Sequence, residues 1–151
     1  MVWRSTTAEA RQPDGPSRRV AMKSRVEAGV PIGILGYRDG APVAWCSIAP
    51  RDTYRALGGL DDAGTLEQVW ALACFFIKRE HRGQGLARNL LLAAIDHAAR
   101  NGASIVEAYP VDPDSPSYRF MGFVDTFSKA GFQEVGRAGQ RRHVMRLSIS
   151  R

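Results

Sequence analysis

The apolar run from Val69 to Ile77 stops abruptly at Lys78-Arg79-Glu80-His81-Arg82, and two glycines, Gly83 and Gly85, lead from there into an amphipathic segment, Leu86–Asn101. A run of this length without polar alternation predicts a strand covered on both faces at the centre of a sheet. In the segment that follows, Ala87, Leu90, Leu91, Ala94 and Ala98 form one stripe at helical spacing, while Arg88, Asn89, Asp96 and Arg100 face away and Gly102 supplies the stop. A buried strand that feeds a glycine turn and then a helix constrains the fold more than any other feature of the chain. It also suggests a chemistry. The first turn of a helix carries unpaired amides and a partial positive charge, and glycines let an anion approach the backbone.

The remaining segments arrange themselves around this junction. Residues 1–19 read as a loosely structured lead, and residues 18–28 as a weak helix ended by Gly29 and Pro31. Ile32–Tyr37 and Val43–Ile48 form a hairpin whose turn is Asp39-Gly40, a pair that tolerates positive φ. Residues 50–64 read as a loop and Ser104–Val111 as a further strand. Pro110, Pro113 and Pro116 then make an extended loop. A helix is expected over Ser117–Ala130, with Phe120, Phe123, Val124 and Phe127 along the face it lays on the sheet and Gly131 as its left-handed cap. Strands at Phe132–Arg137 and His143–Ile149, joined at Ala138-Gly139, close a single domain spanning residues 1–151.

Several classes of function are disfavoured. The nine residues of the longest apolar run are too few for a membrane helix, which needs roughly 20, and residues 1–19 lack the pattern of a secretion signal, so a cytoplasmic protein is expected. Cys46 and Cys74 are far apart and read as buried free thiols. His81, His97 and His143 are scattered, which gives a metal site no support, and His81 reads as solvated. Trp3, Trp45 and Trp70 read as core or lid residues. The 151 residues carry a formal charge of +6, with Arg137, Arg141, Arg142, Arg146 and Arg151 near the carboxyl end. That surplus fits nucleic acid, an anionic membrane face or a phosphorylated small molecule. No zinc finger, aromatic RNA-binding strand or basic helix accompanies it, so a nucleic-acid partner has no support beyond charge, and no membrane partner is expected.

Two phosphate-binding motifs fail at the junction. No GxxxxGK[ST] occurs, and the dinucleotide pattern begun by Gly83 and Gly85 has Arg88 where its third glycine belongs. Arg82-x-x-Gly85-x-Ala87 fits a different pattern. With the order of elements and the later Ala130-Gly131-Phe132, it makes residues 30–149 resemble the GNAT acetyltransferase superfamily, whose members bind acetyl-CoA through Arg/Gln-x-x-Gly-x-Gly/Ala. The resemblance implies a mixed α/β (α+β) fold: a mostly antiparallel central sheet, flanked by helices, with a V-shaped splay between strands 69–77 and 104–111. It implies acetyl transfer from acetyl-CoA to a primary amine; a small-molecule acceptor is expected, a protein amino group stays open, and no metal is expected. Arg82, Gly83, Gln84, Gly85, Leu86, Ala87 and Arg88 would hold the pyrophosphate. The main chain of Phe75 and Ile77 would pair with the pantetheine arm and offer an amide to the developing oxyanion.

Many members carry a tyrosine four residues before the Gly of the Gly-Phe pair, where this chain has Phe127. A non-catalytic CoA-binding module is therefore the alternative reading. Glu107, in the strand beside the splay, is the candidate base, and Tyr109, on the same side of that strand, a second proton carrier. Asp112 and Tyr118 are weaker loop candidates for contact with the acceptor. The acceptor pocket is expected from residues 1–31, 50–66 and 110–117, where Asp61, Asp62, Glu67, Asp112 and Asp114 keep cationic acceptors open. The family's opening strand has no counterpart before Ile32. An uncovered sheet edge of that kind favours a homodimer, which a monomer by light scattering would rule out.

Overall fold

A computed structural model describes residues 3–11, 14–61 and 68–150. The chain forms α1 (Thr7–Ala10), α2 (Gly15–Glu27), β1 (Ile34–Arg38), β2 (Ala41–Pro50), β3 (Val69–Ile77), α3 (Leu86–Arg100), β4 (Ile105–Ala108), α4 (Val124–Lys129), β5 (Gln133–Ala138) and β6 (Arg142–Ser148). The strands make one six-stranded sheet in the order β1-β2-β3-β4-β6-β5. Every neighbouring pair is antiparallel except β3 and β4, which run parallel because α3 carries the chain back over the sheet between them. The apolar run thus becomes a central strand with the bounds its sequence suggested.

The sheet has two covered faces. Leu72 on β3 packs with Ile48, Leu90, Leu91, Ala94, Val106, Phe127 and Phe132 beneath α3 and α4. Ala71 and Ala73, on alternate positions, meet Tyr54, Leu57, Tyr109, Met121 and Val144 on the opposite face, with Trp3 packed against them. No helix among the described residues is long and apolar enough to cross a membrane.

Two expectations need correction. The amino-terminal lead is structured where it is described. Thr6 and Glu9 form a reciprocal capping box on α1, and the Asp14 side chain accepts from the Ser17 amide to start α2, with Pro16 in the first turn. Arg4 and Ser5 are buried. The expected helix over 117–130 contracts to Val124–Lys129, because Tyr118 and Gly122 take positive φ (59° and 90°) on either side of a short 3₁₀ turn, Arg119–Met121.

Gly122 lies against the core, and a Cβ there would stand 2.7 Å from the Phe127 ring and 3.4 Å from that of Phe75. The Phe127 ring cannot give way readily, since it is fully buried and wedged edge-on between Phe75 and Phe132. Gly122→Ala should therefore cost about 2–4 kcal/mol, combining left-handed strain with overpacking. A chemical-denaturation midpoint equal to the native one would refute this account of the glycine.

Candidate functional site

Strand β4 pairs with β3 only from Val69–Leu72 against Ile105–Ala108. Beyond Leu72 the two part. Pro110 cannot donate to a ladder, and Val111 turns to bridge Phe123 instead. The expected strand over 104–111 is accordingly cut to 105–108. Residues Ala73–Ile77 thus keep β2 on one side and an open edge on the other.

Backbone alternation decides which groups face that edge. The Lys78 amide donates to the Val43 carbonyl (2.9 Å), continuing the β2–β3 ladder. In an antiparallel pair the bonded residues alternate, so the main chain of Phe76 points to β2 while that of Phe75 and Ile77 points away from it. The Ile77 carbonyl accepts instead from Arg82 Nε (2.9 Å), as this requires.

On the α3 side of this edge lies a cleft of about 430 Å³, lined by Phe75, Phe76, Ile77, Arg82, Ala87, Arg119, Phe120, Gly122, Phe123, Thr126 and Phe127. The start of α3 opens onto it. Gly85 is the left-handed N-cap (φ 76°), and no side chain caps the helix, so its first amides lack the usual protein acceptor. Gly83 is likewise left-handed, and a Cβ on either glycine would meet nothing within 4 Å. Open space over uncapped amides, with Arg82 beside it, suits a phosphate group. Gln84 is held by Arg38 Nη1 (2.5 Å) and donates to the Glu80 carbonyl (3.4 Å). Leu86 packs on the core, while Ala87 and Arg88 are exposed on the first turn. Ala87 therefore belongs to the cleft wall and not to the buried stripe. The phenylalanine stripe divides too, with Phe120 and Phe123 lining the cleft and only Phe127 fully buried.

The other sheet face carries a second, smaller cavity of about 240 Å³, lined by Trp3, Arg4, Met22, Ile32, Trp45, Ser47, Tyr54, Ala73 and Cys74. Strand β3 is the wall between the two. Arg4 is 6% exposed, and its guanidinium lies 4.0 Å from the Tyr54 ring centroid. It donates to Ser47 Oγ, Thr53 Oγ1 and the carbonyls of Pro31 and Ile32, all neutral acceptors. Desolvation pulls its pKa below the usual arginine value. Burial pushes the Tyr54 hydroxyl up to about 12, and that group exchanges a hydrogen bond with Ser47 Oγ (2.9 Å). Cys74 is half-buried and Cys46 fully buried, both are free thiols, and burial raises both.

Glu107 and Tyr109 come together, but deep in the fold. Glu107 is fully buried, and its carboxylate accepts from Tyr109 Oη (2.5 Å), Arg51 Nη1 (3.2 Å) and Arg146 Nε (2.6 Å). Gly59 covers it so closely that a Cβ there would stand 1.9 Å from Oε1. The Tyr109 hydroxyl is buried as well and its pKa is raised by desolvation, then by the neighbouring carboxylate. A candidate base thus meets the acceptor question with both oxygens already committed to donors. Asp112 is bonded to His143 Nε2 (3.1 Å), whose Nδ1 lies 3.0 Å from Glu134. Tyr118 lies beside Arg142. Asp62 and Glu67 lie outside the described residues.

Sequence reasoning missed Arg4, Ser47, Tyr54 and Arg119 as parts of these walls. Their contacts span distant segments, and no local spacing announces them.

A family model described as the acetyltransferase (GNAT) family matches residues 2–123. No curated protein matches the sequence. Among solved structures, the ribosomal-protein-alanine N-acetyltransferase from Brucella melitensis is similar at a TM-score of 0.61 and 19% identity, over 90% of this chain and 79% of that one. The yncA putative acetyltransferase from Salmonella typhimurium, solved with its cofactor acetyl-CoA, is similar at 0.60 and 18%, over 91% and 75%. The paia N-acetyltransferase from Thermoplasma acidophilum, in complex with coenzyme A, is similar at 0.57 and 14%, over 88% and 71%.

Proposed function

The chain belongs to the acetyltransferase (GNAT) family, and from that premise we propose that it moves an acetyl group from acetyl-CoA to the primary amine of a small molecule, by direct attack with both bound. The observation that carries the reading is the open edge of β3, with a phosphate-suited cleft on one sheet face and a small cavity on the other. Bound acetyl-CoA supplies an acyl thioester, whose thiol, near the cysteine reference of about 8.5, leaves without a dedicated acid. In this reading the amides of Gly83 to Arg88 and the side chain of Arg82 hold the pyrophosphate. The main chain of Phe75 and Ile77 aligns the pantetheine arm, and the Phe75 amide donates to the carbonyl oxygen as it gains charge.

The acceptor amine enters from the smaller cavity, whose volume lies below the roughly 300–1,000 Å³ of sites for drug-sized ligands. An alkyl ammonium with a reference near about 10.4 must lose a proton before it attacks. The cavity helps by its charge. No carboxylate is among its lining residues, and the buried Arg4 cation disfavours a second positive charge beside it. Glu107 and Tyr109 enter the proposal as residues that fix the base of the splay, through the ion pairs to Arg51 and Arg146.

A second reading, a CoA-binding module without turnover, is favoured by Phe127, which stands fully buried where many relatives carry tyrosine. Two measurements separate the readings. Acetyl-CoA at a hundredfold excess over its Kd should stabilise the fold by about 2.7 kcal/mol, read as a rise in Tm, and thiol release across an amine panel should then show turnover. No Tm rise at millimolar acetyl-CoA sinks both readings, whereas a Tm rise without thiol release for any amine leaves the module.

A further inference from the structure

The arginines that the sequence left unexplained near the carboxyl end do different things once folded. Arg146 pairs with Glu107, Arg137 lies against His143, and Arg141 donates to Ser117 Oγ. Arg142 differs from these three. Its guanidinium carbon lies 4.8 Å from the Trp3 ring, 5.1 Å from Tyr118 and 5.9 Å from Tyr109, and its one hydrogen bond to a described residue runs from Nη1 to the Leu57 carbonyl (2.8 Å). Among the described residues no carboxylate meets it. Of the five N–H donors of a guanidinium, most are left for something else.

Its position gives those donors a use. Trp3 is shared, since it both stacks under Arg142 and lines the acceptor-side cavity, and Tyr109 stands at the end of β4 where the splay begins. The cavity beyond Trp3 is walled by Trp45, Met22 and Ile32, carries the unneutralised Arg4 and has no acidic residue in its lining. A polycationic amine would have to enter past Arg4 and Arg142 with no carboxylate among the described lining residues to receive it, which is unfavourable in a partly desolvated site. A molecule with a carboxylate near its amine and an apolar remainder matches all three features.

We propose that the acceptor is a small amino acid with an apolar side chain, whose carboxylate is received by Arg142 at the edge of the Trp3-lined cavity while its amine faces β3. This rests on the acetyl-transfer reading above and narrows its substrate to one class. A planar guanidinium suits a carboxylate because two parallel N–H groups match its two oxygens, and the three rings around the half-buried Arg142 shield its charge in part without neutralising it.

The test compares amines in matched pairs that differ only by the carboxylate: L-leucine with isoamylamine, L-phenylalanine with phenethylamine, and L-methionine with 3-(methylthio)propylamine. With acetyl-CoA as donor, kcat/KM should favour the carboxylated member of at least one pair tenfold or more. Arg142→Met should level that ratio through KM, and Arg142→Lys should restore part of it. A role confined to packing Trp3 would lower both members equally and leave the ratio unchanged, which overturns the proposal, as does a preference for the decarboxylated amine. If neither member turns over while acetyl-CoA still raises Tm, tryptophan fluorescence with CoA and either N-acetyl-L-leucine or N-isoamylacetamide decides. Tighter binding of the anionic product that Arg142→Met abolishes supports the proposal, and equal binding overturns it while the acetyl-transfer reading survives. Failure of that reading has a separate signature, the absence of any Tm rise with acetyl-CoA.

Discussion

Glu107→Ala is expected to cost about 3–5 kcal/mol of stability, the range for breaking a buried ion pair by deleting one partner. For a domain of this length that is a fall in Tm on the order of 10 °C. The cause is what the substitution leaves behind. Arg51, Arg146 and the Tyr109 hydroxyl all converge on one fully buried carboxylate, and each loses its acceptor while it stays in place. Glu107→Gln keeps the shape and one acceptor oxygen, so it should cost less and remain foldable, and it is the variant on which catalysis is judged. Because both carboxylate oxygens are already taken, folded Glu107→Gln should turn over within a few-fold of the native rate and keep the same rise of rate with pH. A loss of 10² or more, together with loss of that pH dependence, would assign the proton transfer to Glu107 after all.

That carboxylate also marks the limit of what the sequence conveys. Placing Glu107 and Tyr109 on the same side of one strand needed only the two-residue repeat, and they do meet. Their burial was not legible, because it is imposed by partners at positions 51, 59 and 146, brought in by three other segments. The same division runs through the fold. Val69–Ile77 and the helix from Leu86 are encoded by local periodicity and local stop signals, and their bounds agree with the sequence to within a residue. The helix after the proline loop shows a good phenylalanine period, yet tertiary contacts override it. Gly122 is drawn under the Phe127 ring, and its neighbours Val111 and Val124 bond to each other, which leaves the chain no room for a continuous helix. At the amino end the capping signals Thr6-x-x-Glu9 and Asp14 were present in the sequence, but the stretch has no apolar stripe. Helix α2 buries no residue, so the periodicity that ordinarily reveals a helix is missing.

The net charge gains meaning from position more than from number. Arg82 sits by the uncapped helix start, Arg4 and Arg142 stand on the opposite sheet face, and Arg51 and Arg146 neutralise Glu107. Two of these groups confront anionic groups of the two substrates proposed for the site, a pyrophosphate and a carboxylate, and the third is structural. A basic surplus divided in this way needs no polymeric anion to account for it.

Replacing the Phe75 amide by an ester, through incorporation of the corresponding hydroxy acid, should lower kcat by about 10²–10³, the loss typical of one oxyanion donor. The exchange deletes a single N–H and keeps the side chain, so the edge contact of Phe75 with Phe127 persists. Strand alternation supplies the control one residue away. The Phe76 amide lies on the β2 side of the same strand, so its ester should lose a ladder bond worth about 0.5–1.5 kcal/mol and leave kcat nearly unchanged. The Phe75 ester removes no ladder donor and only weakens the Cys74 carbonyl as an acceptor, so its Tm should fall no further than that of the Phe76 ester while its turnover collapses. Michaelis constants sharpen the comparison. A donor that acts mainly on the charged transition state leaves KM for acetyl-CoA within a few-fold while kcat falls, whereas an amide that only anchors the ground state raises KM instead. Equal kcat for the two esters would remove the Phe75 amide from the reaction and leave the open edge of β3 as a binding surface alone.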